Sequence, residues 1–96
     1  MYDCIMNLNN TIDMMTSEDY KERFKAEYYQ TKIRFYKLVE MLDSWNAGNL
    51  TFKPACPKWM YQDQLAIMSD YLDILEERAK LENIEINYWQ TNQNMI

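Results

Sequence analysis

Mostly apolar residues recur every three or four positions along two long stretches of the chain. In the first stretch these positions are Phe24, Tyr28, Thr31, Phe35, Leu38, Leu42 and Trp45. In the second they are Tyr61, Leu65, Met68, Leu72, Leu75, Ala79 and Glu82. An average spacing of 3.5 residues keeps one side of an α-helix turned toward a partner along its whole length. The pattern therefore predicts two long helices that pack through these positions.

The residues around the two stretches predict where each helix begins and ends. Ser17 opens the first helix, because its hydroxyl can accept from a free backbone N–H and two acids follow it. Gly48 suits the left-handed turn that ends a helix, and Pro57 suits the first position of the next one. The expected helices span about residues 17–46 and 57–82. Together they predict an all-α fold, an antiparallel hairpin of two long helices.

Two shorter segments flank this hairpin, which occupies residues 16–86. Residues 1–15 form an N-terminal arm in which asparagines interrupt the apolar side chains. We expect the arm to hold a short helix that packs on a neighbouring subunit, and a frayed terminus is the alternative. Residues 87–96 form a C-terminal tail. Before it, Ile84 and Ile86 alternate with polar residues, which is typical of a short extended segment.

The composition predicts assembly with further copies of the chain. One Gly and two Pro in 96 residues leave little room for tight turns and favour long helices. Hydrophobic residues make up 48% of the chain, which is much apolar surface for two helices and a short arm. A lone hairpin buries too little of that surface, so we expect a homo-oligomer.

Charge and residue usage argue against several function classes. The net charge of −5 argues against general attraction to DNA, RNA or an anionic membrane, and no apolar run is long enough to span a bilayer. Cys4 and Cys56 have neither metal-ligand nor redox spacing, so we interpret them as reduced thiols of a cytosolic protein. The chain has no His, the usual base near neutral pH. We therefore expect a binding protein, not an enzyme, with no cofactor and no metal site.

Polar residues of both helices form stripes beside the predicted core. At about 100° per residue, the stripe on the first helix contains Tyr20, Arg23, Glu27, Gln30, Arg34, Lys37 and Met41. The stripe on the second helix combines Gln64, Tyr71 and Arg78, seven residues apart, with Met60, Ile67 and Ile74. Polar groups set among apolar ones are typical of a surface that is partly buried and partly specific.

Two interpretations of these stripes remain open. In the functional one, Arg and Lys hold phosphates, Tyr stacks on bases and Gln contacts a base edge in a pocket at a subunit junction. In the plainer one, Arg34 and Lys37 pair with Glu27 and Glu40 on the surface, and Tyr71 belongs to the core.

A family resemblance favours the functional interpretation. Residues 21–41, KERFKAEYYQTKIRFYKLVEM, and residues 56–86, CPKWMYQDQLAIMSDYLDILEERAKLENIEI, resemble small helical-hairpin proteins of bacteriophages, including crAss-like phages. The shared pattern uses Arg23, Glu27, Thr31, Arg34, Lys37 and Leu38, then Cys56-Pro57, then Gln64, Met68, Tyr71, Leu75 and Arg78. The pattern is also similar to phage anti-CBASS and anti-Thoeris sponges.

The resemblance implies a helical oligomer, most often a hexamer, that captures cyclic nucleotide immune signals without cleaving them. The ligand it implies is a cyclic di- or trinucleotide or a cyclic ADP-ribose type of molecule, bound in the cytoplasm of the infected bacterial host. It also implies ligand contacts at Tyr20 and Arg34 and a further site at Arg78. With the stripes, the candidate ligand-binding residues are Tyr20, Arg23, Arg34, Lys37, Gln64, Tyr71 and Arg78. The alternative is a structural or adaptor hairpin that binds a protein partner through its exposed face.

Overall fold

The computed structural model describes residues 7–86, and this part of the chain contains helices and no strand. A 3₁₀ helix, Leu8–Thr11, leads into the short helix α1, Ile12–Met15. The two long helices are α2, Tyr20–Asn46, and α3, Lys58–Leu81. The prediction of an all-α protein is confirmed. None of the described helices is both long and apolar enough to cross a membrane.

Helix α2 begins three residues later than the sequence predicted. The carboxylate of Asp19 accepts a hydrogen bond from the backbone N–H of Lys21 at 2.9 Å and so caps the helix. Ser17, the expected start, lies in the turn before it, where its hydroxyl accepts from the N–H of Asp19 at 3.0 Å. A carboxylate is as good a cap as a hydroxyl and also opposes the helix dipole, which explains the shift.

The segment between the long helices follows the predicted turn chemistry. Gly48 has a φ of +78°, the left-handed conformation that glycine adopts without steric cost. The N–H of Asn49 then donates to the carbonyl of Ser44 at 2.8 Å and satisfies one of the last carbonyls of α2. Pro57, the expected first residue of the second helix, is instead the cap residue just before α3 and lies in extended backbone.

The contacts between α2 and α3 pair residues in opposite order along the two helices. The hydroxyl of Tyr28, in the first half of α2, donates to Glu76 in the second half of α3 at 2.7 Å. At the other end, the rings of Trp45 and Tyr61 lie 6.0 Å apart in an edge-to-face arrangement. The helices are therefore antiparallel. On α3 the buried residues are members of the predicted seam: Leu72, Leu75 and Ala79.

Helix α2 buries a second side that the spacing did not predict. Ala26, Tyr29 and Ile33 lie off the seam, yet each is at most 4% exposed. Thr31, by contrast, lies on the seam and is only half-buried, and its hydroxyl donates to the carbonyl of Glu27 at 2.8 Å. The core of α2 is thus broader than one heptad seam.

The N-terminal arm covers part of this second side. In residues 7–15, Leu8 and Met14 pack against the core. The fully buried Thr11 accepts a hydrogen bond from the amide of Gln30 at 2.8 Å. The described part of the arm thus packs on α2 of its own chain, which corrects the expectation that it packs on a neighbouring subunit.

The chain after α3 adds to the same core. Asn83 adopts a positive φ of 57°, and the N–H of Ile84 donates to the carbonyl of Ala79 at 2.8 Å. Ile84 and Ile86 are then both buried in non-helical backbone. The predicted tail, residues 87–96, and the first six residues of the arm lie outside the described residues.

Candidate functional site

Three of the candidate residues lie on α3, and one bond shows which side of α2 they adjoin. The hydroxyl of Tyr71 donates to the carboxylate of Glu27 across the two helices. Because seven residues make about two helical turns, Tyr20 and Arg34 lie on the same side of α2 as Glu27. For the same reason Gln64 and Arg78 lie on the same side of α3 as Tyr71.

These six residues define one surface, which we call the open face. Its members on α2 are Tyr20, Glu27 and Arg34, and its members on α3 are Gln64, Tyr71 and Arg78. All six side chains are exposed. Tyr71 is 39% exposed, so it does not belong to the core as the plainer interpretation held. The open face therefore displays two aromatic rings, two guanidinium groups and one amide to a ligand.

At the start of α2, the open face is organised by a carboxylate from the end of α3. The guanidinium of Arg78 donates to Glu82 at 2.8 Å and lies 4.9 Å from the ring centroid of Phe24. The hydrogen bond from Arg78 lowers the pKa of the Glu82 carboxyl. Partial desolvation raises the pKa of the Tyr20 phenol, and the charge of Glu82 acts in the same direction. Tyr20 therefore stays neutral, and its ring can stack on a ligand beside the positive charge of Arg78.

The guanidinium of Arg34 is exposed and makes no hydrogen bond or ion pair within residues 7–86. The surface pairs that the plainer interpretation required, with Glu27 or Glu40, are not formed. Glu27 instead accepts from Tyr71. Arg34 thus keeps all five N–H donors available for an anionic ligand.

Two further candidate residues contact segments that precede α2. Arg23 donates to the backbone carbonyl of Ser17 at 2.7 Å. Lys37 lines a cleft of about 300 Å³ together with Asn7, Leu8 and Asn9. These contacts have no sign in the sequence, because it does not reveal how the chain before α2 packs on that helix.

A row of exposed apolar side chains borders the open face on α3. Its members are spaced by seven residues, with exposed fractions of 46%, 68%, 59% and 83%: Met60, Ile67, Ile74 and Leu81. We call this set the apolar row. It extends the predicted mixed stripe by one residue, Leu81, and no described residue covers it.

A closed polar cluster between the helices was not predicted from the sequence. The ammonium of Lys32 lies 3.0 Å from the hydroxyl of Tyr28 and 3.3 Å from the carboxylate of Glu76. Lys32 is only 8% exposed. Lysine is rarely buried unless it is paired, and composition gives no signal for such pairing. Among residues 7–86 there is also no group of three or more potential ligands that could hold a metal ion.

Comparison with known families identifies the chain. The model of the Sequestin family matches residues 18–81, which is more than half of the sequence. The chain belongs to the Sequestin family. No curated protein and no solved structure gives a significant match.

The extent of the Sequestin match agrees with the geometry of the site. It contains α2, the connecting loop and α3, and with them every residue of the open face. The N-terminal arm lies outside it, including the residues that line the cleft beside Lys37. The name of the family points to sequestration of a ligand.

Proposed function

We propose that this protein binds a cyclic nucleotide immune signal on its open face and sequesters it without cleaving it, as a phage countermeasure to host defence. The observation that supports this most is the unpaired guanidinium of Arg34, set on one face with two aromatic rings and a second guanidinium. The membership in the Sequestin family supports capture as the activity. The cyclic nucleotide, which the resemblance to phage sponges suggested, fits the chemistry of the face.

Each group of the open face has a role in this proposal. Arg34 grips a phosphate through two parallel N–H donors, an arrangement that fits phosphate oxygens. Arg78, oriented by Glu82, supplies a second positive charge near the start of α2. Tyr20 stacks on a base, and the amide of Gln64 recognises a base edge. Tyr71 donates a hydrogen bond to Glu27, which occupies one side of that carboxylate and weakens its repulsion of the ligand phosphates.

The proposed mechanism is stoichiometric capture. The sequence contains no His, and the carboxylate of the open face already accepts a hydrogen bond from a tyrosine. No group there is set up as a general base. Capture succeeds when affinity and copy number exceed those of the host effector, and every 1.4 kcal/mol is about tenfold in affinity.

The apolar row supports assembly with other copies in the host cytoplasm. Four aliphatic side chains spaced by seven residues form the kind of seam through which helices pair. The row runs beside the open face, so a neighbouring copy seated on it closes one side of the ligand site. We propose a homo-oligomer, with six subunits as the resemblance suggests. The same row would serve a structural adaptor that binds another protein, which is the competing function.

A thermal-shift screen of the full chain tests the proposal. The panel contains cyclic di- and trinucleotides and isomers of cyclic ADP-ribose. A ligand at 100 times its dissociation constant should stabilise the protein by about 2.7 kcal/mol. Tyr20→Ala should reduce this shift, because loss of a stacked base costs about 1–3 kcal/mol.

Arg23→Ala is the matched control, because Arg23 lies on the same helix but contacts the turn before it. It should leave the ligand-induced shift unchanged. If no member of the panel shifts the melting temperature, capture of cyclic nucleotides is rejected and the adaptor function is favoured.

A further inference from the structure

A cleft lies at the end of the molecule away from the Tyr20–Arg78 pair. It has a volume of about 460 Å³ and lies between the last turn of α2 and the connecting loop, lined mainly by Trp45, Leu50, Phe52, Lys53, Pro54 and Cys56. Phe52 is 56% exposed and forms one wall of the cleft.

The cleft has two aromatic walls. The Trp45 ring packs edge-to-face on Tyr61 with 6.0 Å between the ring centroids. Phe52 lies on the connecting loop and lines the same cleft. Two aromatic rings that line one cleft suit a planar guest that stacks against them. The volume lies within the range of about 300–1,000 Å³ that small-molecule sites occupy.

The segment that lines the cleft carries positive charge in a protein whose net charge is −5. From residue 44 to residue 62 the sequence contains two bases, Lys53 and Lys58, and no acid. The ammonium of Lys58 lies 5.0 Å from the Trp45 ring centroid and donates to the side chain of Asn46 at 2.8 Å. Lys53 lines the cleft and makes no hydrogen bond or ion pair within residues 7–86.

We propose that this cleft is a second ligand site, which takes a planar aromatic ring carrying one anionic group. The ring stacks between Trp45 and Phe52, and the anion pairs with Lys53, helped by the fixed charge of Lys58. This site is separate from the open face, because Trp45 lies eleven residues beyond Arg34 on α2, about 16 Å along the helix.

The test uses two dyes with the same ring system on the full-length protein. One is 8-anilinonaphthalene-1-sulfonate, an aromatic anion, and the other is N-phenyl-1-naphthylamine, which lacks the sulfonate. Fluorescence titration should give at least fivefold tighter binding of the anionic dye. Lys53→Ala should weaken the anionic dye at least fivefold and leave the neutral dye unchanged. Phe52→Ala should weaken both dyes.

Lys80→Ala is the matched control, since Lys80 is an exposed lysine near the other end of α3. It should leave both affinities unchanged. Equal effects of Lys53→Ala and Lys80→Ala would overturn the proposal, because the anionic dye would then bind through general surface charge or through the apolar row.

Alkylation of Cys56 gives a readout in the unmodified protein. Its thiol is exposed and lines the cleft. Saturating anionic dye should slow its reaction with iodoacetamide several-fold, measured by peptide mass spectrometry. An unchanged rate under saturation would place the dye elsewhere and reject the site.

Discussion

The same three chemical groups, a cation, a tyrosine and a glutamate, occur twice between α2 and α3 with opposite arrangements. In the closed cluster the cation Lys32 contacts both the tyrosine and the glutamate and is 8% exposed. On the open face, Tyr71 and Glu27 bond to each other and leave Arg34 without a partner. A buried cation needs its partners to offset the cost of leaving water, so the closed cluster is a structural feature. An exposed and unpaired guanidinium costs the fold nothing and remains available for a ligand.

The largest effect on stability should come from truncating a side chain in the core between α2 and α3. Leu75→Ala removes a side chain that is 1% exposed, and we expect a loss of about 2–5 kcal/mol in the free energy of unfolding. Chemical denaturation measures it. Leu38→Ala is the control at a half-buried seam position and should cost less. Equal losses of stability for Leu75→Ala and Leu38→Ala would mean that these two seam positions do not differ in burial as we describe.

The next prediction distinguishes Lys32 from Arg34 by how much the loss of each side chain lowers the stability of the fold. Lys32→Ala leaves Tyr28 and Glu76 without their cation in a partly buried site, which should cost about 1–3 kcal/mol. Arg34→Ala removes a surface group without partners and should change stability by at most about 0.5 kcal/mol. Urea denaturation of the two variants side by side gives the comparison. A larger loss of stability for Arg34→Ala than for Lys32→Ala would contradict the assignment of Lys32 to the fold and Arg34 to the ligand.

These positions also show what the sequence predicts and what it does not. The 3.5-residue spacing identifies Leu72, Leu75 and Ala79 correctly, because α3 buries a single side. It fails for Tyr29 and Ile33, which are buried on the second side of α2. No periodicity within α2 reveals that its second side is buried, because the residues that pack on that side lie outside the helix.

The candidate site shows the same limit. Spacing places Arg23 and Arg34 on one stripe, but Arg23 bonds to the turn before α2. The Glu27–Tyr71 contact shows which faces of α2 and α3 adjoin, and it joins residues that are distant in sequence. The burial of Lys32 was likewise unpredictable, because its two partners come from different helices.

A smaller effect should come from the hydrogen bond that holds Glu27. Tyr71→Phe keeps the ring and removes the donor, so the carboxylate of Glu27 repels a ligand phosphate more strongly. We expect affinity for the captured nucleotide to fall several-fold with little change in stability. Calorimetric titration measures the affinity. Tyr29→Phe, on the buried side of α2, is the control and should leave affinity unchanged.

The smallest effect concerns pH and the Arg78–Glu82 pair. The pKa of Glu82 is lowered by its hydrogen bond from Arg78, so the pair stabilises the fold above the ordinary glutamate pKa of about 4.3. That stabilisation is lost as the pH falls through the lower pKa of the folded state. Glu82→Gln should therefore reduce the melting temperature slightly near neutral pH and not in strong acid. A difference that persists unchanged in strong acid would argue against an ionic contribution.

The most direct test of the account is calorimetric titration of the proposed cyclic nucleotide ligand, as identified by the thermal-shift screen, into Arg34→Ala and Lys32→Ala, with the melting temperature of each variant measured in parallel. We predict that Arg34→Ala melts like the wild type but binds about ten- to 150-fold more weakly, which corresponds to the loss of about 1.5–3 kcal/mol for hydrogen bonds to a charged group. Lys32→Ala should melt at a lower temperature and, while folded, bind like the wild type. Weakened binding in Lys32→Ala together with unchanged binding in Arg34→Ala would contradict the account, in which the closed cluster stabilises the fold and the open face binds the ligand.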